Sequence, residues 1–198
     1  NAFKLNEDVV IPLERLGEYT DAIERINIEF SIRNKLGVLD ALEEYLAGAP
    51  RVGKTGDLDT DRLPPEQVLG ERPRLALEVI AAARRRWPWL LDHLDKSLAT
   101  ALDVLDGLGL ATLRPECERR IAADPGVRVF DLLQDRTIRI SWKAEVRGEL
   151  RRLFASGPFG PLLDDLGAIQ QRVLRSRVFV ALHMHAGDGN VHTNIPVN

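Results

Sequence analysis

Hydrophobic residues along this chain recur at two different periods, and the switches between them set its organisation. Asp8-Val9-Val10-Ile11-Pro12 is a β-rich run closed by a proline, which predicts a short strand. From Leu13 the spacing becomes helical: Leu13, Leu16, Thr20, Ile23, Ile26 or Asn27, and Phe30 share one face, with Glu14, Arg15, Asp21, Glu24 and Arg25 on the other. The pattern continues through Leu36, Leu39, Leu42 and Leu46 to a stop at Gly48-Ala49-Pro50. A helix of that length is unusual in a compact domain, so a break between Asn34 and Gly37 is the alternative.

Residues 48–66 carry Gly, Pro, Asp and Thr without periodicity and predict a loop. Helices follow over Pro73–Arg86 and from Pro88 to Gly107. In the second, Leu90, Leu91, Leu94, Leu98, Ala101, Leu102 and Leu105 form an apolar stripe, and Pro88 suits a first helical turn. Residues 115–155 read as mainly helical, although Thr137-Ile138-Arg139-Ile140-Ser141 alternates like a strand, and a last helix spans Phe159–Arg175. Val178-Phe179-Val180-Ala181-Leu182 then has buried-strand composition. The expectation is an α+β fold, predominantly α-helical, in which the two chain ends share a small antiparallel sheet with a long helical insertion between them. The corresponding parts are residues 1–32, 33–176 and 177–198.

Composition narrows the partners. The 198 residues are 44% hydrophobic and 29% charged with a net charge of −3, which describes a globular protein with no nucleic-acid surface. No apolar run approaches the roughly 20 residues that span a bilayer. A single cysteine, Cys117, excludes an intrachain disulfide and fits a reducing compartment, so a cytoplasmic location is expected. The chain opens Asn1-Ala2 without an initiator methionine and stops at Asn198 in a strand-like run, which suggests an excised piece of a longer protein.

Three of the four histidines, His183, His185 and His192, fall within ten residues. Gly187-Asp188-Gly189-Asn190 has strong turn chemistry, since glycine supplies positive φ and Asp or Asn tolerates it. A turn at those four residues would pair Ala186 with Val191, His185 with His192 and His183 with Asn194. Directly opposed Cβ atoms lie about 4.5–5.5 Å apart, close enough for two imidazoles to meet on one metal ion. The competing reading is that these are ordinary strand histidines satisfied by hydrogen bonds. Two imidazoles do not fill a metal site, and no acidic residue follows His192, so a further ligand is expected outside this chain.

His185-Ala186-Gly187-Asp188-Gly189-Asn190-Val191-His192, continued by Thr193-Asn194, resembles the signature of the C-terminal cap domain of FAD-linked oxidases. That group includes D-lactate dehydrogenase, the glycolate oxidase catalytic subunit and D-2-hydroxyglutarate dehydrogenase. Asp8-Val9-Val10-Ile11-Pro12 with Leu16 and Glu18 resembles the opening strand and helix of that cap, so the likeness covers about fifty residues at the two ends. The helical middle is similar to an insertion carried by very large bacterial FAD- and iron–sulfur-containing oxidoreductases. The resemblance implies a ferredoxin-like cap sheet, His185 and His192 as ligands of a divalent metal, often zinc, and Asn194 as a substrate contact. It also implies Asn190 near the flavin or substrate and His183 beside the substrate without a fixed role. FAD would be held mainly by another domain of the same chain, iron–sulfur clusters would lie elsewhere, and the substrate would be a small 2-hydroxy acid. This piece alone would be inactive.

Two other readings compete. Gly48-Ala49-Pro50-Arg51-Val52-Gly53-Lys54-Thr55 fits the Walker A pattern, but a phosphate loop needs a strand before it and a helix after it. The long helical block could instead be an interaction module, with Trp87, Trp89 and Trp142 at an interface, although tryptophans more often fill cores.

Overall fold

The computed structural model describes the backbone of residues 3–175, 181–185 and 190–197, and the side chains of residues 10–59 and 61–175. Strand β1 (Phe3–Val10) leads through a turn of 3-10 helix into α1 (Leu16–Ala47). After a loop come α2 (Pro65–Leu69), α3 (Arg72–Asp92), α4 (Leu98–Leu105), α5 (Arg114–Ala123), α6 (Val129–Gln134), α7 (Gly148–Leu153) and α8 (Gly160–Arg175). Strands β2 (Ala181–His185) and β3 (Asn190–Val197) close the described chain. Of the expected strand Val178–Leu182 and turn Gly187–Asn190, residues 178–180 and 187–189 lie outside the described residues.

The chain divides into two compact units. One comprises Asn1–Asn34, Leu91–Ile138 and Leu174–Asn198; the other comprises Lys35–Leu90 and Arg139–Val173. Residues of the expected 33–176 insertion therefore contribute to both.

The α+β class with a ferredoxin-like cap needs correction: the folded body is helical. Every buried core residue among those described lies on a helix or on a turn joining helices. A ferredoxin-like unit packs two helices on a four-stranded sheet. Among the described residues the backbone pairing gives three strands, in the antiparallel order β1-β3-β2. β-rich composition at the chain ends predicts strands, but it does not count how many meet or what covers them.

Three local differences have physical causes. α1 runs unbroken for 32 residues, because Gly37 costs a helix about 1 kcal/mol while Leu36, Leu39, Ala41 and Leu42 favour it. α3 continues through Pro88, which therefore does not start a helix. An interior proline costs about 3 kcal/mol. Trp87 and Leu90, both fully buried, flank it, and each such burial returns about 1.5–3 kcal/mol. Thr137–Ser141 forms no strand: Ile138 is buried and its N–H donates to the Leu132 carbonyl at 2.9 Å, capping α6.

In the first unit, Leu98, Ala101 and Leu105 of α4 and Val129, Phe130 and Leu132 of α6 are buried. The α4 and α6 starts are tied by Leu98 N–H to Val127 O (2.9 Å) and Val129 N–H to Lys96 O (3.0 Å). In the second, Ala76, Ile80, Ala83, Trp87 and Leu90 of α3 recur at alternating four- and three-residue steps, which gives one continuous buried stripe. Phe154 and Phe159 meet edge to face with centroids 5.5 Å apart, and the Arg72 guanidinium lies 4.9 Å from the Phe159 ring centre.

Candidate functional site

Strand pairing places the chemistry-bearing residues of the two chain ends in rows. β2 pairs with β3 so that His183 opposes His192, His185 opposes Asn190, and Ala181 opposes Asn194. On the other side of β3, β1 sets Asp8 opposite His192, Asn6 opposite Asn194 and Val10 opposite Asn190. The expected pairs of His185 with His192, Ala186 with Val191, and His183 with Asn194 are corrected by this register. The innermost pair of the register is His185 with Asn190, two residues along from the expected pairing of His185 with His192.

A two-residue slip preserves faces, because side-chain alternation has a period of two. Positions 183, 185, 190, 192 and 194 therefore still fall on one face, now joined by 6, 8 and 10 from β1. Val10, in the row of Asn190 and His185, is 73% exposed. Asp8 is the residue that sequence reasoning missed. Its carboxylate-bearing position became significant only with the β1–β3 register, which no local pattern encodes.

The donor set fits a borderline divalent metal. Three imidazole positions and one carboxylate position lie within two adjacent rows, and zinc takes nitrogen and carboxylate oxygen ligands. Among the described residues, no group of three His, Cys, Asp or Glu side chains is placed to hold a metal. The glycine-containing loop 48–56 is committed to contacts within its own unit.

That loop disposes of the phosphate-binding pattern. It follows helix α1, not a strand, and no helix opens at Lys54-Thr55. Gly53 N–H donates to the Pro158 carbonyl at 2.6 Å, and Arg51 N–H to the Tyr45 hydroxyl at 3.2 Å. Thr55 N–H and Gly56 N–H converge on the Asp61 carboxylate at 2.7 and 3.1 Å, and these bonds hold its pKa below the usual range. A protein carboxylate thus sits where the pattern would require phosphate.

Elsewhere the polar clusters are structural. Asp165 accepts from the Tyr45 hydroxyl at 2.7 Å and from Arg51 Nε at 2.7 Å. Its pKa is lowered, chiefly by the Arg51 hydrogen bond, while burial and then the Asp165 bond raise Tyr45 to about 12. Arg25 grips Asp95 with both terminal nitrogens, at 2.6 and 2.7 Å, and also lies over the Phe130 ring. Cys117 is buried, and burial followed by the neighbouring Glu116 charge raises its thiol pKa, which fits an inert side chain. Trp87 is fully buried and Trp89 and Trp142 are half-buried, so none is an exposed interface anchor within its unit. No described helix is long and apolar enough to cross a membrane.

The chain matches no family model, no curated protein and no solved structure.

Proposed function

We propose that this chain supplies the metal- and substrate-binding strands of a flavin-dependent oxidoreductase acting on a small 2-hydroxy acid such as D-lactate, glycolate or 2-hydroxyglutarate. The observation that carries the reading is the His-Ala-Gly-Asp-Gly-Asn-Val-His run, whose flanking histidine and asparagine positions share one face of an antiparallel pair. In such an enzyme the flavin is the two-electron acceptor, held mainly by another domain. A divalent ion, if held by His185 and His192, would supply Lewis acidity favouring ionisation of the substrate hydroxyl. The chain's own part is to hold and orient. His185 and His192 bind as neutral imidazoles, Asn194 donates a hydrogen bond that fixes the substrate's pose, and Asn190 lies at the flavin- or substrate-facing end beside His185. His183 adjoins the substrate in this scheme.

The test is a titration of the purified chain with Co2+, followed by addition of D-lactate, glycolate or D-2-hydroxyglutarate. The visible spectrum of the bound cobalt should change with the 2-hydroxy acids and not with acetate, and Asn194→Ala should weaken that response. A chain that takes up no metal, or a cobalt spectrum indifferent to all three acids, refutes the reading.

A further inference from the structure

In the unit formed by Lys35–Leu90 and Arg139–Val173, Arg74 pairs with Glu71 and Glu78, Arg84 with Asp40 and Glu43, Arg86 with Glu145, and Arg152 with Glu149. Lys143, Arg147 and Arg151 behave differently: none of these side chains makes a hydrogen bond or ion pair with a described residue. Lys143 and Arg151 are exposed and Arg147 is partly so. The three stand four residues apart on a π-helical turn (Trp142–Arg147) that runs directly into α7. In a plain α-helix each four-residue step rotates a further 40° or so, about the excess over one full turn, and such a row drifts off its face. The wider turn, closed by the Gly148 N–H on the Lys143 carbonyl, winds less per residue. The first step therefore turns the other way, and Lys143 and Arg151 fall back into line.

Buried Val146 and Leu150 hold this helix to its unit. Glu145 and Glu149 each precede that stripe by one position, while Arg147 and Arg151 each follow it, so acids and row occupy opposite flanks. Like charges four residues apart destabilise a helix, and no acid on the same flank of this helix relieves them.

We infer that Lys143, Arg147 and Arg151 form a cationic row that docks an acidic helical segment of a partner polypeptide. The row is one side chain wide and about 12 Å long at roughly 1.5 Å per residue. That length matches two turns of a helix bearing Asp or Glu at four-residue steps, whose carboxylates meet the three cations one to one. Two of the three are arginines, whose planar fork suits a carboxylate. A nucleic acid or an anionic membrane asks for a broad electropositive face. Here Glu145 and Glu149 border the other flank, and the whole chain carries −3.

The probe is a fluorescein-labelled, alanine-based helical peptide with a glutamate at every fourth position. Its binding to the chain as it stands is read by anisotropy in about 0.1 M salt, where fields beyond about 10 Å are screened. A second peptide of the same composition carries its glutamates in one block and should bind more weakly. Lys143→Gln, Arg147→Gln and Arg151→Gln should each weaken binding about 2–5-fold, the range for one exposed ion pair, and the triple variant at least about tenfold. Arg85→Gln removes the same charge from an exposed site on α3 and should alter binding less than about twofold. Glutamine is a good helix former, and Arg147→Lys, which keeps the charge, should stay within about twofold of wild type. The inference is overturned if wild type does not bind the spaced peptide, if both peptides bind alike, or if Arg85→Gln weakens binding as much as the row variants do. Tighter binding of a DNA oligonucleotide or a phosphatidylserine vesicle through the same three residues also overturns it.

Discussion

Removing the Glu145 carboxylate should destabilise one unit of this protein far more than a surface ion-pair mutation would. Glu145 accepts from the Ser141 N–H at 2.6 Å and from the Trp87 indole N–H at 2.8 Å, and it pairs with the Arg86 guanidinium. The Arg86 and Glu145 side chains are only 20% and 16% exposed, and Trp87 is fully buried. Glu145→Ala strands the indole N–H, which no water can reach without a cavity, and each such orphan costs about 1–3 kcal/mol. It also leaves the Arg86 charge without its partner in a mostly dry site, where breaking a buried pair costs about 3–5 kcal/mol. Because Arg86 keeps some solvent, the combined loss should be about 3–4 kcal/mol rather than the full sum. Glu145→Gln keeps one carbonyl acceptor for either the Ser141 N–H or the Trp87 indole, turns its NH2 toward the other donor and loses the charge, so about 2–3 kcal/mol is expected. All three tryptophans lie in the unit formed by Lys35–Leu90 and Arg139–Val173, which also holds Glu145. Urea unfolding followed by tryptophan fluorescence therefore reports that unit alone. A loss below about 1 kcal/mol for Glu145→Ala refutes the reasoning, because it means the carboxylate was exchanging freely with water.

Tyr45 has its pKa raised to about 12, so its contribution to stability is present below pH 10 and disappears as pH rises through 12. In a Tyr19→Phe background, phenolate absorbance should give a midpoint near the raised value, and Tyr45→Phe should flatten the alkaline limb of the thermal midpoint. A Tyr45 midpoint at the ordinary value contradicts the half-buried Asp165 contact. Pro88→Ala restores the N–H that an interior helix proline lacks, and should stabilise the chain by about 1–2 kcal/mol after subtracting the unfolded-state entropy that proline removes; destabilisation by fluorescence-monitored urea unfolding would count against an unbroken α3. Metal bound by neutral imidazoles should be released as pH falls toward about 6, with a steep proton dependence, and pH-independent zinc retention to pH 5 would exclude histidine ligation.

Much of the helical body is legible from spacing alone. Leu39, Leu42 and Leu46 occupy the predicted stripe and are buried, as are Leu90, Leu94, Leu98, Ala101 and Leu105. The same rule fails at Leu13 and Ile26, which fit the period but are 60% and 37% exposed, because period identifies a face and not what covers it. Pro88 departs from the pattern for a related reason: its local preference for a helix start is outweighed by the tertiary burial of its neighbours. At the candidate site, the face shared by the histidines follows from alternation and survives any even slip. The partner of each histidine does not, since it depends on which residue begins the turn, and the row containing Asp8 depends on a pairing between opposite ends of the sequence.

That last pairing sets an order of assembly. Nearly the entire chain separates β1 from β3, whereas β2 and β3 are joined by a short connection. Closing a long loop costs more entropy than closing a short one, and a two-stranded hairpin by itself is marginal in water. β1, synthesised first, must therefore wait for helices to draw the distant ends together before the ribbon gains its third strand. The rows that run across β1, β3 and β2 are completed only after the helices between the two chain ends have formed.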